Sequence, residues 1–158
     1  AFVSGAMRTI SRQRRFAGYV RALAENGIPL DEALVPSSSD LGDADSGPLA
    51  RAAVHAVLTL DDPPTAVVAV NDMVALSASA TLRDAGRDVA EFAVVGFDDT
   101  PIGSLISPAL TTVRQPLREM AEAVVRLTVD GAGVGEPRSS LVFPPTLVVR
   151  ASTERRIA

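Results

Sequence analysis

Short, uninterrupted runs of β-branched and small apolar residues alternate along this chain with longer segments of helical periodicity. The clearest run covers residues 65–70, and residues 93–95 repeat it. Because these runs lack polar alternation, they are typical of strands covered on both faces. Such strands joined by helices indicate right-handed βαβ units. The pattern therefore predicts an α/β fold with a doubly wound, mostly parallel sheet flanked by helices.

Two of the predicted helices carry clear end signals. The first spans residues 11–26 and is followed by Gly27, and another spans 73–85 and is followed by Gly86. Glycine often follows a helix C-terminus because it adopts a left-handed backbone without strain. The other predicted elements are helices over 48–60 and 116–130 and strands over 2–3, 34–35, 110–113 and two runs within 141–149.

The composition excludes several classes of functional site. The 158 residues include no cysteine and one histidine, His55, so thiolate and multi-histidine metal sites cannot form. The net charge of −4 argues against a nucleic-acid-binding surface, which needs an excess of basic side chains. No apolar run approaches the roughly 20 residues of a membrane span. We predict no resident cofactor and no membrane association.

Polar residues follow several predicted strands, at the sheet edge where ligands bind in doubly wound folds. We expect these residues to converge there although they are distant in sequence. They are Thr9, Ser11, Arg12, Arg14 and Arg15 near the start of the first helix, Asn71 and Asp72 after the strand at 65–70, and Asp98 and Asp99 after the strand at 93–95.

A helical wheel separates the two adjacent arginines of the first helix. Phe16, Tyr19 and Leu23 share an apolar face. Arg15 lies at the border of this face and can direct its guanidinium towards the sheet edge, whereas Arg14 points to solvent. A surface ion pair explains Arg15 equally well.

The other polar residues also have simple structural interpretations. Asn71 can cap the next helix. Adjacent acids point to opposite sides of an extended chain, so only one of Asp98 and Asp99 easily faces a ligand. Together, however, arginine, amide and carboxylate groups suit a ligand with many hydroxyl groups.

Several distinct blocks of sequence stand in a specific order and at specific spacings over residues 1 to about 152. The blocks are Arg15-Phe16-Ala17-Gly18-Tyr19, Pro64-Thr65-Ala66 leading to Asn71-Asp72, Val95-Gly96-Phe97-Asp98-Asp99, and Pro108-Ala109-Leu110-Thr111-Thr112-Val113-Arg114-Gln115-Pro116. In this order they resemble the effector-binding domain of LacI/GalR-type transcriptional regulators.

The resemblance implies a periplasmic-binding-protein-like fold, with two lobes around a sugar-sized cleft, of which this chain holds the carboxyl-terminal part. Residues 1–115 would form that lobe, residues 116–140 would be a crossover helix of the missing lobe, residues 141–152 would return as strands, and residues 153–158 would be a tail. The resemblance also implies a cytoplasmic homodimer that binds operator DNA only through a missing amino-terminal domain.

Site residues follow from the resemblance position by position. Arg15, Asn71 and Asp98 match effector contacts, and Ser11 and Gln115 match further residues that line the cleft. Two more positions, Leu76 and Ile106, match a dimer interface, although core packing explains Leu76 equally well.

The chain departs from the family in the segment at 38–43, where many members place an aromatic ring against the sugar. The segment reads Ser-Ser-Asp-Leu-Gly-Asp, so we expect no stacking platform from this lobe. The favoured function is the effector-binding and dimerisation region of a repressor that senses a small molecule such as a sugar. A secreted periplasmic-type sugar-binding protein of a transporter is the alternative. An enzyme using Asp98 or Asp99 is disfavoured, because no nucleophile–base pair accompanies them.

Overall fold

The computed structural model describes residues 1–36, 47–87, 92–129 and 141–154. Its elements confirm the alternation predicted from the sequence. In chain order they are β1 (Phe2–Val3), α1 (Ile10–Glu25), a 3₁₀ turn (Glu32–Leu34), α2 (Gly47–Leu58), β2 (Ala66–Ala69), α3 (Asp72–Asp84), β3 (Ala93–Val95), α4 (Pro101–Leu105), β4 (Thr112–Arg114), α5 (Leu117–Val129), β5 (Thr146–Val148) and a second 3₁₀ turn (Ala151–Thr153).

The three strands β1, β2 and β3 form a parallel sheet in sequence order. Phe2 pairs with Val68 and Val67 pairs with Val94. A parallel bridge from Val95 to Thr111 extends the sheet towards β4. β4 and β5 form a separate antiparallel pair. The fold is thus the predicted α/β type, with an antiparallel ribbon following the parallel sheet.

The hydrophobic core lies between the parallel sheet and the helices α2 and α3. The strands contribute Val67 and Val94, α2 contributes Val54, and α3 contributes Val74 and Leu82, all of them buried. Strand residues with no polar alternation therefore belong to a sheet covered by helices, which is the physical reason for the pattern in the sequence.

The helix ends follow the expected chemistry. The Thr9 side chain caps α1 by accepting from the Arg12 N–H, and Asn71 caps α3 in the same way. Gly27 and Gly86 have φ values of 69° and 71°, in the left-handed region where glycine is favoured. His55 is exposed on α2.

Two sequence expectations differ from the structure, and one short helix was not predicted. Residues 34–35 are not a strand; the chain makes a 3₁₀ turn over Glu32–Leu34, and the Asp31 carboxylate stabilises it by accepting from the Ala33 N–H. Only Thr146–Val148 is a strand within 141–149, because the preceding prolines lack the N–H groups that a ladder needs. The short helix α4 was not predicted. The segment at 38–43 lies outside the described residues.

In the described part of the chain, no helix is both long and apolar enough to cross a bilayer. The same residues contain no group of three or more acidic or histidine side chains placed to hold a metal ion.

Candidate functional site

The carboxylate of Asp98 joins side chains from two distant parts of the chain. The Gln115 Nε2 atom donates to Asp98 Oδ1 at 2.9 Å, and the Arg15 Nη2 atom lies 3.8 Å from the same oxygen. Arg15 Nη1 also donates to the carbonyl of Val70 at 2.6 Å, at the end of β2. The structure therefore brings Arg15, Asp98 and Gln115 together at the carboxyl edge of the parallel sheet.

The guanidinium of Arg15 is held from a further direction by an aromatic ring. Its Cζ atom lies 3.7 Å from the centroid of the Phe97 ring, which is a close cation–π contact. With the bond to Val70 and the charge of Asp98, this contact fixes the orientation of the guanidinium. Arg15 is thus held in a fixed orientation at the sheet edge. It is not a solvated surface arginine that forms only an exposed ion pair.

The two adjacent acids after β3, Asp98 and Asp99, contact different residues. Asp98 and Asp99 have φ values of 111° and 54°, so both have a left-handed backbone that non-glycine residues rarely adopt. The Asp98 N–H donates to Val113 O at 2.9 Å, and the Asp99 N–H donates to Thr112 Oγ1 at 3.3 Å. These bonds to β4 hold a turn in which Asp98 contacts Arg15 and Gln115 while Asp99 contacts other residues.

Asp99 binds two arginines that lie beyond the sheet edge. Its Oδ2 accepts from Arg114 Nε and its Oδ1 accepts from Arg150 Nη2, both at 2.6 Å. Burial raises the pKa of Asp99, but the hydrogen bonds and charges of Arg114 and Arg150 outweigh it, so the pKa lies below its usual value. Arg150 also donates to the carbonyl of Leu110 at 2.8 Å. Asp99 therefore ties the turn after β3 to β4 and to the segment after β5.

Asn71 caps helix α3, whereas Asp72 is a buried hydrogen-bond acceptor. The Oδ1 of Asn71 accepts from the Val74 N–H at 2.9 Å, so its amino group is the part that can donate to a ligand. Asp72 is fully buried and accepts from Thr112 Oγ1 at 2.5 Å and from the Thr100 N–H at 2.6 Å. Asp72 is thus a structural residue that supports the turn after β3.

A cleft of about 570 Å³ opens beside the Arg15 side chain. Of the residues predicted for the site, Ser11, Arg15 and Gln115 line this cleft, whereas Asn71 and Asp98 are not among its lining residues. The cleft wall consists of Ile10, Ser11, Arg14, Arg15, Phe97, Gln115, Pro116, Met120, Leu141, Val142, Phe143 and Pro145.

Sequence reasoning missed part of this wall. The rings of Phe97 and Phe143 both border the cleft, and neither residue was predicted for the site. The expectation of no stacking platform rests on the segment at 38–43, which lies outside the described residues. Phe97 stands in the Val-Gly-Phe-Asp-Asp block, and Phe143 precedes a proline pair that carries no recognisable site signal. Arg14 is exposed, as the wheel predicts, yet it also lines the cleft.

The two positions matched to a dimer interface are both half-buried. Leu76 on α3 and Ile106 after α4 pack against the core between the sheet and the helices. Core packing accounts for these contacts, and the exposed parts of both side chains remain available to a partner. Their role in dimerisation stays a prediction.

A parallel sheet flanked by helices, with a mostly apolar cleft at its carboxyl edge that carries a few polar groups, defines a ligand-binding α/β domain. The family profile of the periplasmic binding protein-like domain matches residues 1–153, and the chain belongs to this family. Its relatives are LacI/GalR-type regulators, which confirms the resemblance seen in the sequence.

Three similar proteins illustrate this relationship. The HTH-type transcriptional regulator reg1 of Streptomyces lividans is 39% identical over 156 residues, covering 94% of this chain and 43% of that protein. A solved complex of the transcriptional regulator CelR with cellobiose matches with a TM-score of 0.80 and 33% identity, over 96% of this chain and 46% of that one. The lac repressor dimer bound to operator and the anti-inducer ONPF matches with a TM-score of 0.80 and 29% identity, over 97% and 51%. The chain thus spans about half the length of these relatives.

Proposed function

We propose that this chain is the effector-binding and dimerisation region of a LacI/GalR-type transcriptional repressor that senses a small polar molecule such as a sugar. The observation that carries the proposal is the meeting of Arg15, Asp98 and Gln115 beside a cleft. Arginine and amide groups at the rim of an apolar cleft donate and accept hydrogen bonds at fixed positions, as recognition of hydroxyl groups requires.

The position of Gln115 supports a role in signalling as well as binding. Gln115 lies between β4 and α5, where residues 1–115 as the carboxyl-terminal lobe give way to the crossover segment of residues 116–140. A ligand that contacts both Arg15 and Gln115 would therefore touch the lobe and the start of the crossover together. Such a ligand changes the arrangement of lobes only if it binds the two arrangements with unequal affinity.

The remaining functions belong to the full-length protein. We propose that residues 141–152 return from the second lobe, that residues 153–158 are a tail, and that Leu76 and Ile106 contribute to a homodimer. Operator DNA would bind through an amino-terminal domain, in the cytoplasm. The relatives are transcriptional regulators, which favours this function over a transporter's sugar-binding protein and over an enzyme.

Substitution of Arg15 tests the proposed site. In a thermal-shift screen of neutral sugars on the full-length protein, at least one sugar should raise the melting temperature. Arg15→Ala should weaken that sugar's affinity roughly tenfold or more in calorimetry, because a charged hydrogen-bond donor is lost. Arg21→Ala is the matched control, since Arg21 lies on the same helix and forms an exposed ion pair with Glu25. Equal affinity in wild type and Arg15→Ala would refute the site.

The assignment of DNA binding has its own test. The 158-residue chain should give no specific gel shift at physiological salt with the promoter DNA that the full-length protein binds. A specific shift by this chain alone would contradict the proposal that operator DNA binds through an amino-terminal domain.

A further inference from the structure

The cleft is lined by two arginines that are in different electrostatic situations. Arg15 is engaged by Val70, Phe97 and Asp98, as described above. Arg14 precedes it on α1, lines the same cleft and is exposed. Among the described residues, no carboxylate lies within the 4.0 Å of an ion pair from Arg14. The charge of Arg14 is thus not balanced by the described part of the protein.

The composition of the cleft wall reinforces this imbalance. Among the described residues that line the cleft, two are arginines, two carry neutral polar side chains and none is acidic. The carboxylate of Asp98, at the same sheet edge, already faces Arg15 and Gln115. The described lining of the cleft thus carries two positive charges and no negative one, so a bound ligand meets Arg14 without an acidic competitor among these residues.

Closure of the cleft makes this charge important. When a second lobe covers a cleft, the side chains that line the cleft lose contact with water, and an unpaired cation among them is costly to desolvate. A neutral sugar would leave Arg14 in this situation. A phosphate or carboxylate on the ligand would accept from its guanidinium in a bidentate, charge-assisted contact.

We infer that the effector is a polyol bearing an anionic group, either a phosphate ester or a carboxylate, and that Arg14 binds this group. The inference rests on the proposed function and specifies its ligand. Arg15 and Gln115 would contact hydroxyl groups. The apolar wall, which includes Phe143 and Met120, would pack against the carbon skeleton of the ligand.

Matched ligands test the inference on the full-length protein. Glucose, galactose, maltose and cellobiose are compared with their 6-phosphates and their aldonic acids, with inorganic phosphate as a separate probe. We expect at least one ester or acid to bind more tightly than its neutral parent in calorimetry, with an affinity that falls as salt is raised. Arg14→Gln should weaken the anionic ligand roughly 10- to 100-fold, leaving the neutral parent unaffected.

The controls separate failure of this inference from failure of the proposed function. Arg21→Gln removes an exposed arginine of the same helix outside the cleft and should leave every affinity unchanged. If a neutral sugar binds as tightly as its ester, or if Arg14→Gln has no effect, the anionic ligand is wrong while the proposed function stands. Binding of inorganic phosphate as tight as that of the esters, an adventitious ion only, also overturns the inference. Absence of binding by every compound refutes both.

Discussion

Helices α2 and α3 of the lobe differ from helix α5 of the crossover region in how much of their apolar surface is buried. In the lobe, α2 and α3 cover the parallel sheet, and each helix buries one apolar face, which includes Val54 and Val57 of α2 and Val74 and Leu82 of α3. No residue of α5, all of which is described, is buried, and its exposed apolar side chains are Leu117, Val124, Val125, Leu127 and Val129. A helix gains most of its stability by burying an apolar face. Helices α2 and α3 therefore meet this requirement within the described residues, and α5 does not.

The difference indicates which part of this chain needs packing contacts from outside its described residues. An amphipathic helix with an uncovered apolar face indicates a missing contact. The proposed second lobe would supply that contact to α5. The lobe and the crossover region should consequently respond differently to the same substitution.

The largest expected effect comes from removing the same side chain in the two regions. Leu82 on α3 has 0% exposure and Leu117 on α5 has 59%. In urea unfolding of this 158-residue chain, Leu82→Ala should lower the free energy of unfolding by about 3 kcal/mol, because it leaves a cavity. Leu117→Ala should change it by less than about 0.5 kcal/mol.

Repeating this pair in the full-length protein sharpens the comparison. If a second lobe covers α5, Leu117→Ala should become clearly destabilising there, by about 1–2 kcal/mol. Equal costs for Leu82→Ala and Leu117→Ala in the 158-residue chain would show that α5 is already packed, and the contrast between the regions would be wrong.

The ion pairs of Asp99 predict a pH-dependent effect of intermediate size. Asp99 and Arg114 both lie in the lobe, and Arg150 belongs to the segment that returns after β5. Because the folded-state pKa of Asp99 is lowered, its stabilising contribution is present above the unfolded pKa of about 3.9 and is lost as the pH falls through the folded value. Asp99→Asn should therefore lower the free energy of unfolding by about 2 kcal/mol at pH 7.

Urea titrations at pH 7 and below pH 4 check this prediction. The difference between wild type and Asp99→Asn should shrink at the lower pH, because the wild-type carboxylate is then becoming protonated. Asp84→Asn is the matched control: its ion pair with Arg51 is exposed, so the expected change is within about 0.5 kcal/mol. A pH-independent cost of Asp99→Asn would mean that the geometry of the turn matters, not its charge.

The sequence predicted the lobe well because local signals determine it. Uninterrupted apolar runs identified the strands, and Gly27 and Gly86 marked helix ends that the structure confirms by their positive φ values. The predicted strand at 34–35 failed for a local reason too: apolar character outweighed the capping signal of Asp31, which stabilises a 3₁₀ turn.

The site was predictable only in part, since its wall depends on contacts distant in sequence. Topology and resemblance brought Arg15, Asp98 and Gln115 together, and the structure shows them in contact. Phe143 reaches the cleft through the returning segment, whose path no local pattern specifies. The left-handed backbone of Asp98 and Asp99 also depends on bonds to β4, which no local pattern in the sequence specifies.

The smallest expected effect distinguishes an ion pair of α5 from the one at Asp99. Arg118 Nε lies 3.2 Å from Glu122 Oε1, with both side chains largely exposed. The basic residue precedes the acidic one, which is the less favourable order for such pairs in a helix. The coupling between Arg118→Gln and Glu122→Gln in a double-mutant cycle should be about 0.2–0.4 kcal/mol at low salt and vanish in 1 M NaCl. A coupling above about 1 kcal/mol in the 158-residue chain would require surroundings that exclude water from α5, contrary to its exposure here.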